Sequence, residues 1–556
     1  AATAIVLAGC GGGGGGGDGA SPVATAAAPA PASAAAPAPA GAPTGAGIAS
    51  TGGAIPEVGT SFTAGSGCTL SYTLTDAPAL SGADPLLAQQ WHLRNTGQSG
   101  GIAGEDLRAL DAWAGGQGAG VRVAVVDDAI EVVHPDLFPN LVAGASFSYR
   151  VGNPYPGMPV PCRSADSHGT AVAGLVLARE GNAIGGAGVA PRAGLVAFDA
   201  LASSTDVDVS DALNRDAQLN AIYQNSWGSP DDGALHASDA LFEQALARGL
   251  ETGRGGLGSL FVFAGGNGGC FARSGPTTCL SDDSNYDGYV NHPGVIAVCA
   301  VDDRGRKPSY GEPGANLTAC APSSGSSSGI TTTAIRSAYR NDFSGTSAST
   351  PMVSGVVALM LAANPALTWR DVRLVLAKTA RRNDAADADW VAGPGLQPFN
   401  HKYGFGVVDA AAAVATARTW TSVGGASSLI RCTPAAATPN AALPDRSGAT
   451  VTPVDSAIVV AGCGITRLEY VEVRLDAPHP YAGDLRIRLT SPTGTTSRLA
   501  EARPCLGGCG SYANWRFGSM RHLDEGSNGT WTLEIADDAA LDVGTFQRWS
   551  LVLYGR

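Results

Sequence analysis

Between about Asp84 and Trp420 the chain alternates two kinds of apolar segment. One kind is short and continuous, as in VRVAVVDD, AGLVAFDA, AIYQNSW, LGSLFVFAGG and GVIAVCAV. The other is longer and amphipathic, as in ASDALFEQALARGLETG and SASTPMVSGVVALMLAAN. Short strands that are apolar on both sides, separated by helices, predict a parallel sheet covered on both faces. From about Ser427 the pattern changes. LEYVEVRLDA, DLRIRLTSP, GTWTLEIAD and FQRWSLVLYG follow one another between Gly, Pro and Asp turns. That predicts a β-sandwich of jelly-roll type. The expected architecture is an α/β domain over 81–422 followed by an all-β domain over 423–556.

Ahead of these domains lies a run of seven glycines and an Ala/Pro-rich stretch. Such a composition buries no core and predicts a disordered tether over 10–80. The first ten residues, AATAIVLAGC, resemble the end of a bacterial lipoprotein signal peptide. Their apolar run is too short to span a bilayer, and no other stretch looks transmembrane. The expectation is a truncated signal peptide over 1–9, lipidation of Cys10, export, and membrane contact only through a lipid anchor.

The 556 residues exceed what one hydrophobic core organises, which agrees with two domains. A formal net charge of −13 lacks the basic footprint that nonspecific nucleic-acid binding needs. It suits calcium and basic peptides. Of the eleven cysteines, ten remain if Cys10 carries lipid. An even set in an exported chain reads as disulfides, with connectivity left open by the sequence. Local pairing would join Cys270–Cys279, Cys299–Cys320, Cys432–Cys463 and Cys505–Cys509, leaving Cys68 and Cys162. No His/Cys cluster has zinc-ligand spacing.

Three motifs carry chemistry. Asp127 ends the strand VRVAVVDD, His168 opens an apolar helix in SHGTAVAG, and Ser347 opens another in SGTSASTP. A serine hydroxyl is a weak nucleophile. It needs a histidine to take its proton and a carboxylate to fix the tautomer of that histidine. The order Asp, His, Ser is one of the known triad orders. Acyl transfer also develops a negative oxygen, which demands donors aimed at it. Asn267 in FVFAGGNGG is the candidate side chain, together with the Ser347 N–H.

At this point the text resembles the kexin/furin branch of subtilisin-like serine proteases. The words that carry the resemblance include QQWHL, VAVVDDAIEVVHPDL, NSWGSPDDG, GRGGLGSLFVFAGGNGG, NYDGYVN, SGTSASTPMVSG and KYGFGVVDA. HPYAGDLRIRLTSPTGTTSRL and WSLVLYG resemble the P domain that follows such catalytic domains. The resemblance implies a subtilisin-like α/β peptidase domain and cleavage after basic residues, with a basic P2 favoured. It places Asp231 and Asp287 in the S1 pocket, and Asp128 and Asp166 at S2. Ser226, Trp227, Gly228 and Tyr289 join them in binding substrate. A guanidinium needs facing carboxylates, so these acids agree with basic specificity. The S4 acids are missing: Asn214 stands at one such position and Ala237 near the other. Weak P4 selectivity is the expectation.

The resemblance also implies two calcium sites. The first takes Asp84, Asp136, the Asn182 side chain and the carbonyls of Arg179, Ile184 and Gly186. The second takes Asp231, Asp282 and Glu312, behind S1. Mixed carboxylate, amide and carbonyl oxygens are hard-cation chemistry. Relatives carry a folded propeptide where this chain is Gly/Ala/Pro-rich, which leaves room for a separate chaperone or inhibitor. Two other readings stay open: a degradative subtilase of broad specificity, and a catalytically silent surface adhesin.

Overall fold

The computed structural model describes residues 53–76, 81–98, 100–272, 279–391, 397–505 and 508–556. Six strands build the central sheet: β1 (Arg122–Val126), β2 (Gly194–Phe198), β3 (Asn220–Asn225), β4 (Leu260–Ala264), β5 (Val295–Val301) and β6 (Leu317–Pro322). Their order is β6-β5-β4-β3-β1-β2, and every pair is parallel. β3 to β6 are buried along their whole length, which is what continuous apolar runs produce in a sheet covered on both faces. The covering helices include α1 (His168–Leu177), α2 (Ala240–Thr252), α3 (Thr346–Ala363), α4 (Trp369–Thr379) and α5 (Ala410–Thr419). By length and composition α3 could cross a membrane, but 89% of it is buried inside the domain, where it is a core helix.

The chain runs from β1 to β2 on one side and then crosses to β3 on the other. That reversal opens a crevice beyond the carboxyl ends of β1 and β3, where open α/β sheets bind ligands. Asp127 follows β1 there, Ser226 follows β3, and the Gly265-Gly266-Asn267 turn follows β4.

The second domain is two four-stranded antiparallel sheets. One contains Ile430–Cys432, Arg548–Gly555, Leu468–Ala477 and Tyr512–Ser519. The other contains Val454–Val460, Gly529–Asp537, Leu485–Thr490 and Thr496–Ala500. Leu485–Thr490 alternates buried and half-buried positions, the period of a strand with one core face. Ile487, Leu489 and Trp531 of one sheet share a core with Val471, Val473 and Leu551 of the other. Arg370 on α4 joins the domains through a two-pronged bond to Glu469, at 2.9 and 2.6 Å, with both side chains fully buried. Arg516–Glu243 and Lys378–Asp524, each at 2.7 Å, add further links.

The tether expected over 10–80 is corrected at its C-terminal end. Residues 61–62 pair with 72–73 as a short hairpin, and Phe62 and Tyr72 pack into the catalytic core. Cys68 is bonded to Cys162, so this segment is stapled to the loop before His168. Its two aromatic rings and the cysteine are what its Gly/Ala-rich composition hides. Three of the local disulfides form: Cys299–Cys320, Cys432–Cys463 and Cys505–Cys509. The Cys279 side chain lies outside the described residues, as do Cys10 and residues 1–52.

Candidate active site

His168 is the first residue of α1, and its Nδ1 lies 2.8 Å from Asp127 Oδ1. Asp127 is completely buried, and the imidazole side chain is 14% exposed. Burial pulls the imidazole pKa down, but the charge and hydrogen bond of Asp127, with the charge of Asp128, outweigh it and raise the pKa. His168 Nε2 is buried and has no hydrogen-bond partner. In a native site such an orphan marks where a missing partner belongs.

Ser347 is the second residue of α3, after Gly345 turns the chain at φ +81. Its Oγ donates to the Ser226 carbonyl at 3.2 Å and makes no bond to His168. The carboxylate–imidazole half of the relay is therefore formed. The hydroxyl–imidazole half needs a turn about the serine χ1, a low-cost motion between staggered wells.

Asn267 Oδ1 accepts from the Thr346 N–H at 2.8 Å and from the Thr346 hydroxyl at 3.1 Å. This fixes the amide and leaves Nδ2 as a donor without a partner. The Ser347 N–H lies in the first helical turn, where backbone donors lack helical acceptors. These are the two donors an oxyanion requires. The turn demands glycine: Gly266 has φ +100, and a Cβ there would lie 2.2 Å from the Glu312 carboxyl carbon.

At the Gly265-Gly266 turn lies a small cleft lined by Asp231, Asp282, Asp283, Asp287, Glu312 and His236, with no Lys or Arg among its lining residues. Asp287 Oδ2 accepts from the Ser229 N–H at 2.8 Å, and Oδ1 accepts from the Ser229 hydroxyl and the Tyr289 N–H. A Cβ on Gly228 would lie 2.5 Å from Asp287 Oδ2, so glycine keeps the approach to this acid open. Burial raises the pKa of Asp287 and of Asp231, and pushes Asp282 up to about 7. Burial and the charges of Asp282 and Asp231 raise Glu312 well above the carboxylate range.

Several residues expected to bind substrate make the following contacts within the protein. Trp227 and Tyr289 are 2% and 1% exposed, so their side chains belong to the core. Trp227 donates to the Val126 carbonyl and stacks edge-on against Phe263 and Tyr289. Ser226 contributes its carbonyl to Ser347. Asp128 is 6% exposed and accepts from the N–H groups of Ala129, His168 and Gly169, capping α1. Asp166 pairs with Arg150 at 3.0 Å and accepts from the Cys162 and Arg163 N–H groups.

Both acid sets expected to hold calcium are brought together. In the first, Asp84 accepts from the N–H groups of Gly181 and Asn182, which lays loop 179–186 over the site. The Asn182 amide donates to Asp136 Oδ1 at 2.8 Å, while Asp136 Oδ2 is buried with no partner. Burial pushes Asp136 up to about 7. A buried, unpaired carboxylate oxygen beside a second acid fits a hard cation. Arg179, Ile184 and Gly186 belong to the same loop and would offer carbonyls. In the second set, a Cβ on Gly268 would touch both Asp282 and Asp231 and come within 3.1 Å of Glu312 Oε1. Three acids around one glycine repel one another unless one is protonated or a cation lies between them. Among the described residues, no three His, Cys, Asp or Glu side chains close to metal-ligating distance, so the acids adjoin without forming a closed cage.

Sequence reasoning missed four contributors. Thr346 orients Asn267, Phe343 packs edge-on against His168 with ring centroids 5.5 Å apart, Arg150 occupies Asp166, and Arg503 reaches in from the second domain. Thr346 adjoins the nucleophile and was legible in SGTSAS. Phe343, four residues before Ser347, carries no signal of its contact with His168, and Arg150 and Arg503 lie outside the motifs.

Fold and site together define a subtilisin-like serine endopeptidase followed by a P domain. Residues 118–406 match the Subtilase family, residues 468–553 match the Proprotein convertase P-domain, and the chain belongs to the subtilase family. It is 36% identical to bovine furin over 482 residues, covering 85% of this chain and 58% of furin. Human neuroendocrine convertase 2 is 34% identical over 485 residues, covering 85% of this chain and 74% of the convertase. The Aeromonas sobria serine protease, solved in complex with its chaperone, superposes with a TM-score of 0.75 at 26% identity, over 87% of this chain and 96% of that one.

Proposed function

We propose that this enzyme is a calcium-dependent endopeptidase that cleaves polypeptides after Arg or Lys. One observation carries the reading: five carboxyl groups line the cleft at the Gly265-Gly266 turn that precedes Asn267, with no Lys or Arg among the lining residues. Buried acids crowded into one cleft repel one another and resist ionisation. A P1 guanidinium entering between Asp231 and Asp287 relieves that cost, whereas an apolar side chain does not. Binding energy is thereby tied to a basic P1.

In the reaction, Ser347 Oγ leaves the Ser226 carbonyl, gives its proton to His168 Nε2 and attacks the scissile carbonyl. Asp127 stabilises the imidazolium that forms. Asn267 Nδ2 and the Ser347 N–H receive the oxyanion, and His168 then protonates the leaving amine. Water repeats the sequence to release the acid product.

Calcium, when bound by Asp84, Asp136 and Asn182, would supply the charge balance that lets the two carboxylates stay ionised. Asp231, Asp282 and Glu312 form the second candidate set. The internal disulfides agree with export, and Cys10 is the candidate lipid attachment. The chaperone of the Aeromonas protein supports the idea that a separate protein assists folding of this chain.

Substrate profiling over P1 to P4 tests the reading. The expected profile is steep at P1 for Arg and Lys and shallow at P4. Comparable cleavage after Leu, Phe and Arg would defeat it.

A further inference from the structure

The P-domain segment 501–505 lies against both loops that carry the S1 acids. Arg503 Nε donates to the Gly233 carbonyl at 2.7 Å, and its guanidinium carbon stands 3.4 Å from the centre of the Tyr286 ring. Gly233 is two residues after Asp231, and Tyr286 immediately precedes Asp287. Gly233 is gripped from its other side too, because its N–H donates to Asp282 Oδ2 at 2.8 Å. Its φ is +79, and a Cβ would lie 2.9 Å from the Pro504 carbonyl, so only glycine lets the P domain approach this closely. The Tyr286 hydroxyl accepts from the Glu501 N–H at 3.2 Å.

Arg503 is 5% exposed, and its Nη2 is buried with no hydrogen-bond partner. An arginine in such a site is costly unless nearby anions repay it. Its Nε and Nη1 are instead held by the Gly233 carbonyl and, at 3.4 Å, by the Tyr512 hydroxyl. The Lys378–Asp524 pair ties the same two domains at 2.7 Å, but on α4, which carries no substrate-binding acid.

We propose that Arg503 is a positioning residue for P1 selectivity: through Gly233 and Tyr286, the P domain sets the loops that present Asp231 and Asp287. Arg503 does not touch substrate. The inference rests on the acid-lined S1 reading above. It makes the P domain part of the specificity apparatus rather than a stabilising appendage alone.

The test compares full-length wild type, Arg503→Gln, Arg503→Lys and Lys378→Gln on matched Arg-P1 and Leu-P1 peptides, with a melting curve for each. A small displacement of binding groups is costly, so Arg503→Gln is expected to raise KM for the Arg peptide about 10-fold while kcat changes less than about 3-fold. The Arg-to-Leu ratio of kcat/KM should fall about 10-fold in the Gln variant and about 3-fold in the Lys variant. Lys378→Gln should lower Tm with the ratio unchanged. An unchanged ratio in the Arg503 variants, or an equal fall in Lys378→Gln, overturns the proposal. If the Gln variant does not fold, the Lys variant decides by the same ratio. A wild type with no Arg preference defeats the S1 reading itself, and this inference with it, which is a separate outcome.

Discussion

Two pairs of acids flank the reaction centre, and the fold treats them differently. On the S2 side, Asp128 is consumed by three backbone N–H groups and Asp166 by Arg150 and two more. On the other side, Asp287 also accepts three hydrogen bonds, but it and Asp231 share one cleft with Asp282, Asp283 and Glu312, which no Lys or Arg lines. The lesson is that an acid near a catalytic centre says little by itself. What matters is whether its charge is already spoken for. An acid paired with an arginine is charge-balanced, whereas acids crowded together without one favour a cation.

The sharpest test of this contrast is substitution. Removing one partner of a desolvated charge pair costs ~2–5 kcal/mol. Asp287→Asn should therefore lower kcat/KM for an Arg-P1 peptide by about 10²-fold. Asp166→Asn should change P2 selectivity by less than about 3-fold, as expected for a partly exposed pair. Matched peptides differing at P1 and P2 would show both, and equal losses would erase the distinction.

Chelation probes the same contrast through stability. A ligand at 100 times its Kd stabilises by ~2.7 kcal/mol, so losing one calcium should lower Tm by about 4 °C in a domain of this size. Asp136→Asn and Glu312→Gln should each remove part of that response in scanning calorimetry. A melting curve unmoved by chelator would refute both sites.

The smallest effect is on pH. His168 must be neutral to accept the serine proton, and its folded pKa is raised above the ordinary imidazole value by Asp127. Activity should therefore fall with acidification through a midpoint above that value. Asp127→Asn should move the acid limb downward while also depressing the rate, read from kcat/KM against pH.

Much of this was legible in the sequence. The continuous apolar runs gave away the buried parallel strands because burial on both faces leaves no other pattern. Asp127, His168, Ser347 and Asn267 could be read because each follows a strand or opens a helix, so local text reports their placement. The hairpin at 61–73 was hidden, because two rings and one disulfide hold it within an otherwise structureless composition. The burial of the Trp227 and Tyr289 side chains was not legible, because a motif match does not report which way a side chain points. Arg503 could not be read at all, since nothing local marks a side chain that acts more than 200 residues away on Gly233, a separation of 270 positions.

The account's central claim is that Asp127, His168 and Ser347 act as one relay beside a pocket selective for a cation. The most direct measurement is covalent labelling with an arginyl-P1 diphenyl phosphonate, which releases phenol as the serine oxygen bonds to phosphorus, followed by peptide mapping. The account predicts a single adduct on Ser347, lost in Ser347→Ala and His168→Ala, and far slower labelling by the leucyl analogue. Labelling elsewhere, labelling that survives His168→Ala, or equal rates for the two reagents would contradict it.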